Sequence, residues 1–136
     1  MHRRLCAFLV VTFAAISVAG CEAPPFIKPT EPTPTTVSFS GTLTVNGGAT
    51  HRFTAQAAGT INLRLKTLAP VTTVTVGLWL GVWTGASCNM VLQNENAVLD
   101  TVMIGAANAS GEFCARVYDV EKLTAPTDYT IEISHF

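Results

Sequence analysis

The sequence predicts an all-β protein, an antiparallel β-sandwich of seven or eight short strands. From about residue 37 onwards, apolar and polar residues alternate with a period of two, as in strands that bury one face. Turn-forming residues interrupt the alternation about every 8–12 residues, which is typical of sandwiches. No segment shows the 3.6-residue period of an amphipathic helix. Charged residues are few, while Thr and Val, which favour sheet surfaces, are plentiful.

The first strands are predicted on either side of glycine-containing turns. Residues 37–45 alternate, and Asn46-Gly47-Gly48 then supplies the positive φ angles of a tight hairpin turn. The alternation continues through 53–57, and Ala58-Gly59 turns the chain again. Residues 61–66 form a strand with one polar face.

The second half of the domain is predicted to be less regular. Residues 74–82 form a strand. Residues 85–96 are rich in Asn, Ser and Gly and are predicted to form a long loop, within which 90–92 is an alternative short strand. The last three strands are predicted at residues 97–104, 113–118 and 129–133.

The N-terminus has the pattern of a secretory signal. Residues 1–4 carry two positive charges, and residues 5–19 are uncharged and too short for a spanning helix. Val18-Ala19-Gly20-Cys21 closes this stretch and resembles the lipobox of bacterial lipoprotein precursors. The resemblance implies cleavage before Cys21, a lipid on its thiol and attachment to the membrane of the bacterial cell envelope. An ordinary cleaved signal peptide and an uncleaved signal anchor are the alternatives.

The lipobox resemblance also implies a destination and a domain order. In some bacteria an Asp after the lipidated cysteine retains the protein in the inner membrane, so Glu22 implies the outer membrane. We expect a signal peptide at 1–20, a lipidated, Pro/Thr-rich tether at 21–36 and a β-sandwich domain at 37–136. The tether contains five prolines and would reach roughly 40 Å if extended. A disordered tail is the alternative for this segment.

Composition and motifs exclude two classes of function. Without residues 1–20 the chain has six Lys or Arg against nine Asp or Glu, and it lacks the basic patch that nucleic acid binding requires. His51 and His135 lie outside any catalytic motif, and we expect both at solvated strand ends. The chain contains no GxSxG, HExxH or P-loop pattern, so we predict that it is not an enzyme and needs no cofactor.

The acidic residues do not predict a metal site. Glu95 and Asp100 lie in or near the long loop, and three carboxylates surround the connection from 119 to 128. Either set offers oxygen ligands for Ca²⁺, but neither has an EF-hand-like spacing. The three carboxylates of the second set belong to Asp119, Glu121 and Asp128.

The cysteines predict one disulfide. If Cys6 leaves with the signal peptide and Cys21 carries the lipid, then Cys88 and Cys114 are left in an oxidising compartment where disulfides persist. A bridge between them would stabilise the fold by about 3 kcal/mol. A metal ligand or catalytic thiol is the alternative, but neither cysteine has the clustered ligands that this requires.

Aromatic residues are the candidate ligand-binding groups. Trp79 and Trp83 lie four residues apart and therefore share one face of a continuous strand, opposite Leu78 and Leu80. Together with Tyr118 they would offer stacking surface to a sugar ring or an apolar partner. The alternative is packing, either over the second sheet or against the Cys88–Cys114 bridge.

Five segments resemble the bacterial pre-peptidase C-terminal domain, a jelly-roll-like sandwich of exported proteins. Members often carry an Asp-x-Asp-like pattern in a central strand, where this chain has Thr73-Val74-Thr75, so the resemblance carries no calcium site over. The segments that resemble it are Phe39-Ser40-Gly41-Thr42-Leu43, Arg52-Phe53-Thr54-Ala55, Gly59-Thr60-Ile61-Asn62-Leu63, residues 111–118 and Tyr129-Thr130-Ile131-Glu132-Ile133.

Taken together, the sequence predicts a non-catalytic, lipid-anchored envelope protein that displays a β-sandwich as a binding or structural module. A carbohydrate-binding module that uses Trp79, Trp83 and Tyr118 is the alternative. The expected partners are the membrane, through the lipid, and a glycan or another envelope protein.

Overall fold

The protein is an antiparallel β-sandwich, which confirms the fold class expected from the sequence. A computed structural model describes residue 30 and residues 32–136. This part of the chain contains no helix, and hence none long and apolar enough to cross a membrane. The predicted signal peptide, Cys21 and most of the predicted tether lie outside the described residues. The strands are β1 (Thr35–Leu43), β2 (Gly48–Ala55), β3 (Gly59–Ala69), β4 (Val76–Trp83), β5 (Cys88–Ala97), β6 (Val102–Ala107), β7 (Gly111–Tyr118) and β8 (Thr127–His135).

The strand order is that of a jelly roll. Sheet A has the order β1-β8-β3-β6 and sheet B the order β2-β7-β4-β5. The first strand therefore pairs with the last, the second with the seventh, the third with the sixth and the fourth with the fifth. These four pairs are those of one long antiparallel hairpin whose turn lies between β4 and β5. The hairpin is rolled up, so that the first and third pairs lie in sheet A and the second and fourth in sheet B.

The turn at Asn46-Gly47 corrects one prediction. The turn itself is present, since Asn46 has a φ of 57° and the Gly47 N–H donates to the Thr44 carbonyl at 2.9 Å. It does not close a hairpin, however, because β1 lies in sheet A and β2 in sheet B. Local turn chemistry reverses the chain but does not decide which strand becomes the neighbour. The Ala58-Gly59 turn likewise leads from sheet B into sheet A.

The predictions for residues 85–104 are also corrected. The expected long loop is mostly the ten-residue strand β5, and the expected strand at 97–104 is replaced by β6, which begins only at Val102. A turn separates them, in which Asp100 has a φ of 67°. Most residues of β5 are exposed because it is an edge strand. Its Asn, Gln and Glu residues therefore face water on both sides, and no alternation results.

The core lies between the two sheets and is formed by alternate residues of the strands, as the period of two predicts. In β8, for example, every second residue from Thr127 to His135 is buried. Burying one large aliphatic side chain contributes about 1.5–3 kcal/mol. The largest fully buried side chains are those of Tyr129, Leu43, Ile61, Leu63, Leu65, Leu78, Ile131, Ile133, Val76, Val117 and Cys114.

The predicted disulfide between Cys88 and Cys114 is confirmed, and it links β5 to β7 across the intervening strand β4. Strands two apart in a flat sheet are about 9.6 Å from each other, since neighbours are about 4.8 Å apart. The Cα atoms of the two cysteines are only 5.8 Å apart. The start of β5 therefore leaves the plane of sheet B and crosses over β4 at Gly81, where an added Cβ would collide with the Asn89 carbonyl.

We predict that Gly81→Val prevents this crossing and with it the disulfide. The free energy of unfolding should fall by about 3 kcal/mol, the contribution of such a bridge on the chain-entropy account. Thiol titration of the denatured, non-reduced chain should detect two more thiols than in the wild type. Gly111→Ala is the matched control, because a Cβ there meets only a Phe113 ring atom at 3.7 Å. An intact bridge in Gly81→Val would contradict this account.

Candidate ligand-binding face

The outward face of sheet B carries all three aromatic residues proposed from the sequence. Leu78 and Val117 are fully buried, so the side chains that follow them, Trp79 in β4 and Tyr118 in β7, point away from the core. Trp83 lies four residues after Trp79 in the same strand and shares its face. We call this surface, with Arg52 and Arg116, the aromatic face.

Trp79 and Tyr118 are in direct contact on this face. Their ring centroids are 5.4 Å apart and the planes are tilted by 58°, within the range of favourable aromatic pairs. Gly77 lies opposite Tyr118 in the pairing of β4 with β7. A Cβ at Gly77 would overlap the tyrosine ring, so the absence of a side chain there lets the ring lie against the sheet.

Two guanidinium groups lie over the tryptophan rings. The Cζ atom of Arg52 is 5.0 Å from the centroid of Trp83, and that of Arg116 is 5.5 Å from the centroid of Trp79. Arg116 also donates a hydrogen bond to the Thr50 hydroxyl at 3.1 Å. Cation–π contacts of this kind stabilise by about 0.5–1 kcal/mol at exposed sites. The indole faces are thus partly covered by the protein itself and do not form a bare stacking platform.

The polar atoms of these aromatic residues are buried without a partner. Within residues 32–136, four buried side-chain polar atoms have no hydrogen bond, and three of them lie here: Nε1 of Trp79, Nε1 of Trp83 and the hydroxyl of Tyr118. Buried polar groups are nearly always bonded, so each of these needs an explanation. With the two arginines they make the aromatic face rich in hydrogen-bond donors.

The two histidines are not solvated strand-end residues, and that expectation is wrong. The Nε2 atom of His51 lies 2.7 Å from the Tyr129 hydroxyl, and its ring stacks on Phe39 with a centroid distance of 4.8 Å. His135 is only 4% exposed, and its ring centroid is 5.3 Å from that of Phe53. Both rings belong to the packing, because alternation in β2 and β8 turns them towards the other sheet.

Two of the carboxylates considered as calcium ligands, those of Asp119 and Asp100, are held by other groups of the chain. Asp119 accepts hydrogen bonds from the backbone N–H groups of Asn46, Lys122 and Leu123 at 2.8–3.0 Å, which ties the β1–β2 turn to the β7–β8 connection. Burial raises the pKa of this carboxyl, but the N–H donors outweigh burial and leave the pKa below its ordinary value. Asp100 pairs with Arg64 at 2.6 Å. The described residues contain no group of three potential metal ligands.

Sequence reasoning missed an apolar groove of about 460 Å³ between the two sheets. It lies where the edge strands β5 and β6 border the sandwich, and its wall includes Val82, an inward-facing residue that is nevertheless 42% exposed. Gly105 and Ala106 of β6 supply little side chain to close it. Strand periodicity identifies inward residues but not where the two sheets stand apart. The groove is also lined by Ile61, Leu80, Leu92 and Phe113.

Comparison with known proteins gives no family assignment: no protein-family model matches the chain, and no curated protein matches it. The resemblances to a lipobox and to the pre-peptidase C-terminal domain therefore stay predictions from sequence. Functional inference rests on the residues of the aromatic face and on the N-terminal pattern.

The His51–Tyr129 pair predicts a pH dependence of stability. Burial lowers the pKa of His51 below its ordinary value of 6.5. Above pH 6.5 the ring is neutral in the folded and in the unfolded chain, so it contributes its full stabilisation to the fold. As the pH falls below 6.5 the unfolded chain binds the proton first, so the free energy of unfolding falls until the folded pKa is reached.

Urea unfolding between pH 8 and pH 5 tests this prediction. The wild type should lose stability below pH 6.5 with a slope of at most about 1.4 kcal/mol per pH unit. The His51→Gln variant should lack this component, and the difference between the two curves isolates it from other titrating groups. Parallel curves would show that His51 does not titrate differently in the two states.

Proposed function

We propose that this protein is a non-catalytic, lipid-anchored envelope protein that displays a jelly-roll sandwich as a binding or structural module. The observation that carries the proposal is the position of β1. It begins at Thr35, directly after Pro32-Thr33-Pro34, and these three residues are exposed. Proline lacks an N–H group and is poorly suited to a central strand. The fold thus starts where the proline-rich segment ends, as expected for a domain on a tether.

Lipid on Cys21 would supply the attachment. A single acyl chain binds a membrane only marginally and reversibly, whereas two chains give stable anchoring. Proteins with a lipobox usually carry two or three chains, and Glu22 would allow transport to the outer membrane. The Cys88–Cys114 disulfide supports export, because such bonds persist in oxidising compartments and are rare in the cytosol.

Metabolic labelling with palmitate tests the anchor. The wild-type chain should incorporate the label and fractionate with membranes, and the Cys21→Ser variant should do neither. Cys6→Ser is the matched control, because it removes the other N-terminal cysteine and should leave labelling unchanged. Labelling that survives in Cys21→Ser would refute the lipobox assignment.

Carbohydrate binding at the aromatic face is the second candidate function. The observation in its favour is the set of three unpartnered donors from Trp79, Trp83 and Tyr118 beside two arginines. Sugar hydroxyl and carboxylate oxygens are acceptors that would satisfy these donors, and because the three atoms are buried in the free fold, the covering guanidinium groups would have to move aside on binding. Because the guanidinium groups cover part of the indole rings, recognition would depend on hydrogen bonds at the ring edges as well as on stacking.

Tyr118→Phe separates binding from packing because it removes one hydroxyl and keeps the ring. That hydroxyl has no partner in the folded chain, so its loss should leave the free energy of unfolding unchanged or raise it by about 1 kcal/mol. On a glycan array the same variant should bind several-fold more weakly than the wild type. Tyr129→Phe is the control, since its hydroxyl pairs with His51 and it should lose stability but keep binding. Unchanged glycan binding in Tyr118→Phe, or no binding by the wild type, would reject this candidate.

A further inference from the structure

β6 is an edge strand without the usual protection against pairing. It consists of Val102-Met103-Ile104-Gly105-Ala106-Ala107, with no charged residue and no proline, and among the described strands its only ladder partner is β3. Ile104 is 67% exposed and Val102 48% exposed. Natural edge strands usually carry charges, prolines or bulges, because their free N–H and C=O groups otherwise pair with another chain.

The other edge strands differ from β6 in their outward side chains. On β1 these include the hydroxyl residues Ser38, Ser40 and Thr42, and on β2 they include Arg52. β5 carries Glu95, and its pairing with β4 is interrupted twice by register shifts. β6 alone combines a regular register with an entirely apolar sequence.

The surface around β6 extends the apolar area. β5 and β6 border the same groove between the sheets, and three consecutive exposed residues of β5 are apolar. Val91 is 66% exposed, Met90 46% and Leu92 38%. We call this surface, formed by β5, β6 and the apolar groove, the β5/β6 side. A partner that pairs with β6 would also approach the exposed residues of β5.

We propose that the β5/β6 side binds a second copy of this chain, with the two β6 strands paired antiparallel about a two-fold axis. Residues opposite each other in such a ladder lie on the same face of the sheet, so outward side chains must meet outward side chains. The register that pairs all three outward residues places Ile104 opposite its own copy and Val102 opposite Ala106. Sheet A then continues from one copy into the next.

Charge favours a second copy over another partner. A two-fold interface brings the same surface of both copies together, so a charged residue near the axis would be repelled by the same residue of the other copy. β6 contributes no charged residue, and the carboxylate just before it, Asp100, is paired with Arg64 at 2.6 Å. Glu95 of β5, which lies near Ile104, is an exposed charge of this side. The groove wall is mostly apolar, with Glu112 as its one charged residue in the described chain. Apart from Glu95 and Glu112, the surface is therefore uncharged and complementary to itself.

The available area is sufficient for a weak to moderate dimer. Val82, Met90, Val91, Leu92, Val102 and Ile104 are each between 38% and 67% exposed. Covering them and the edge backbone would bury on the order of 600 Å² per copy and roughly 1,200 Å² in total, which is the lower end of specific interfaces.

Disulfide trapping in the full chain tests the proposal. In the Ile104→Cys variant the two new thiols would lie opposite each other, with Cβ atoms about 4.5–5.5 Å apart, close to the separation that a disulfide needs. Copper phenanthroline with dissolved oxygen should convert most of the chain to a species of twice the mass, which a reductant reverses. Val71→Cys is the matched control: Val71 is 53% exposed but lies in the β3–β4 connection, and it should not cross-link.

A second variant shows whether trapping depends on the apolar edge. Adding Val102→Lys to Ile104→Cys places a cation at the proposed interface and should abolish the cross-link, while circular dichroism shows an unchanged fold. The proposal is overturned if Ile104→Cys cross-links no more than the wild type or Val71→Cys, or if the cross-link survives Val102→Lys. A product whose mass is not twice that of the chain would mean a different partner and would overturn it as well.

Discussion

The pairing of the first strand with the last is the constraint on which the rest of this structure depends. Nine residues of β1 align with nine of β8, from Thr35 opposite His135 to Leu43 opposite Thr127. β8 also pairs with β3, and the remaining strand pairs are nested between these ends of the chain. Only β4 and β5 pair with a sequence neighbour, so nearly all of the ladder requires loops to close first, which makes such topologies slow to fold.

This nesting explains how far the sequence predicts the fold. Alternation depends only on which side chains face the core, and so it identified most strands, the inward residues and the side of β4 that carries Trp79. Pairing depends on contacts between distant residues, and nothing in Asn46-Gly47 indicates that the turn leads into the other sheet. β5 was missed for a third reason: an exposed edge strand can be polar on both sides, and then it does not alternate.

The candidate site was predicted to a similar extent. Trp79, Trp83 and Tyr118 share a face, because a period of two fixes the side of each residue within its own strand. The two arginines were not foreseen, since Arg52 comes from β2 and Arg116 from β7, and each reaches a tryptophan of β4 only through strand order. The roles of Gly77 and Gly81 were missed too. A glycine is required at these positions because another residue occupies the space of a side chain, and the sequence does not show which residue that is.

The place where the proline-rich segment joins the domain has a geometric consequence. It enters at β1, and β1 and β6 are the two opposite edges of sheet A. Two copies joined through β6 would form one eight-stranded sheet with a β1 strand at each end. With neighbouring strands about 4.8 Å apart, the two points of entry would be separated by roughly 34 Å. If each copy carries the proposed lipid at Cys21, the pair would be attached to the membrane through two tethers at opposite edges of its sheet, and not through the β6 strands at its centre.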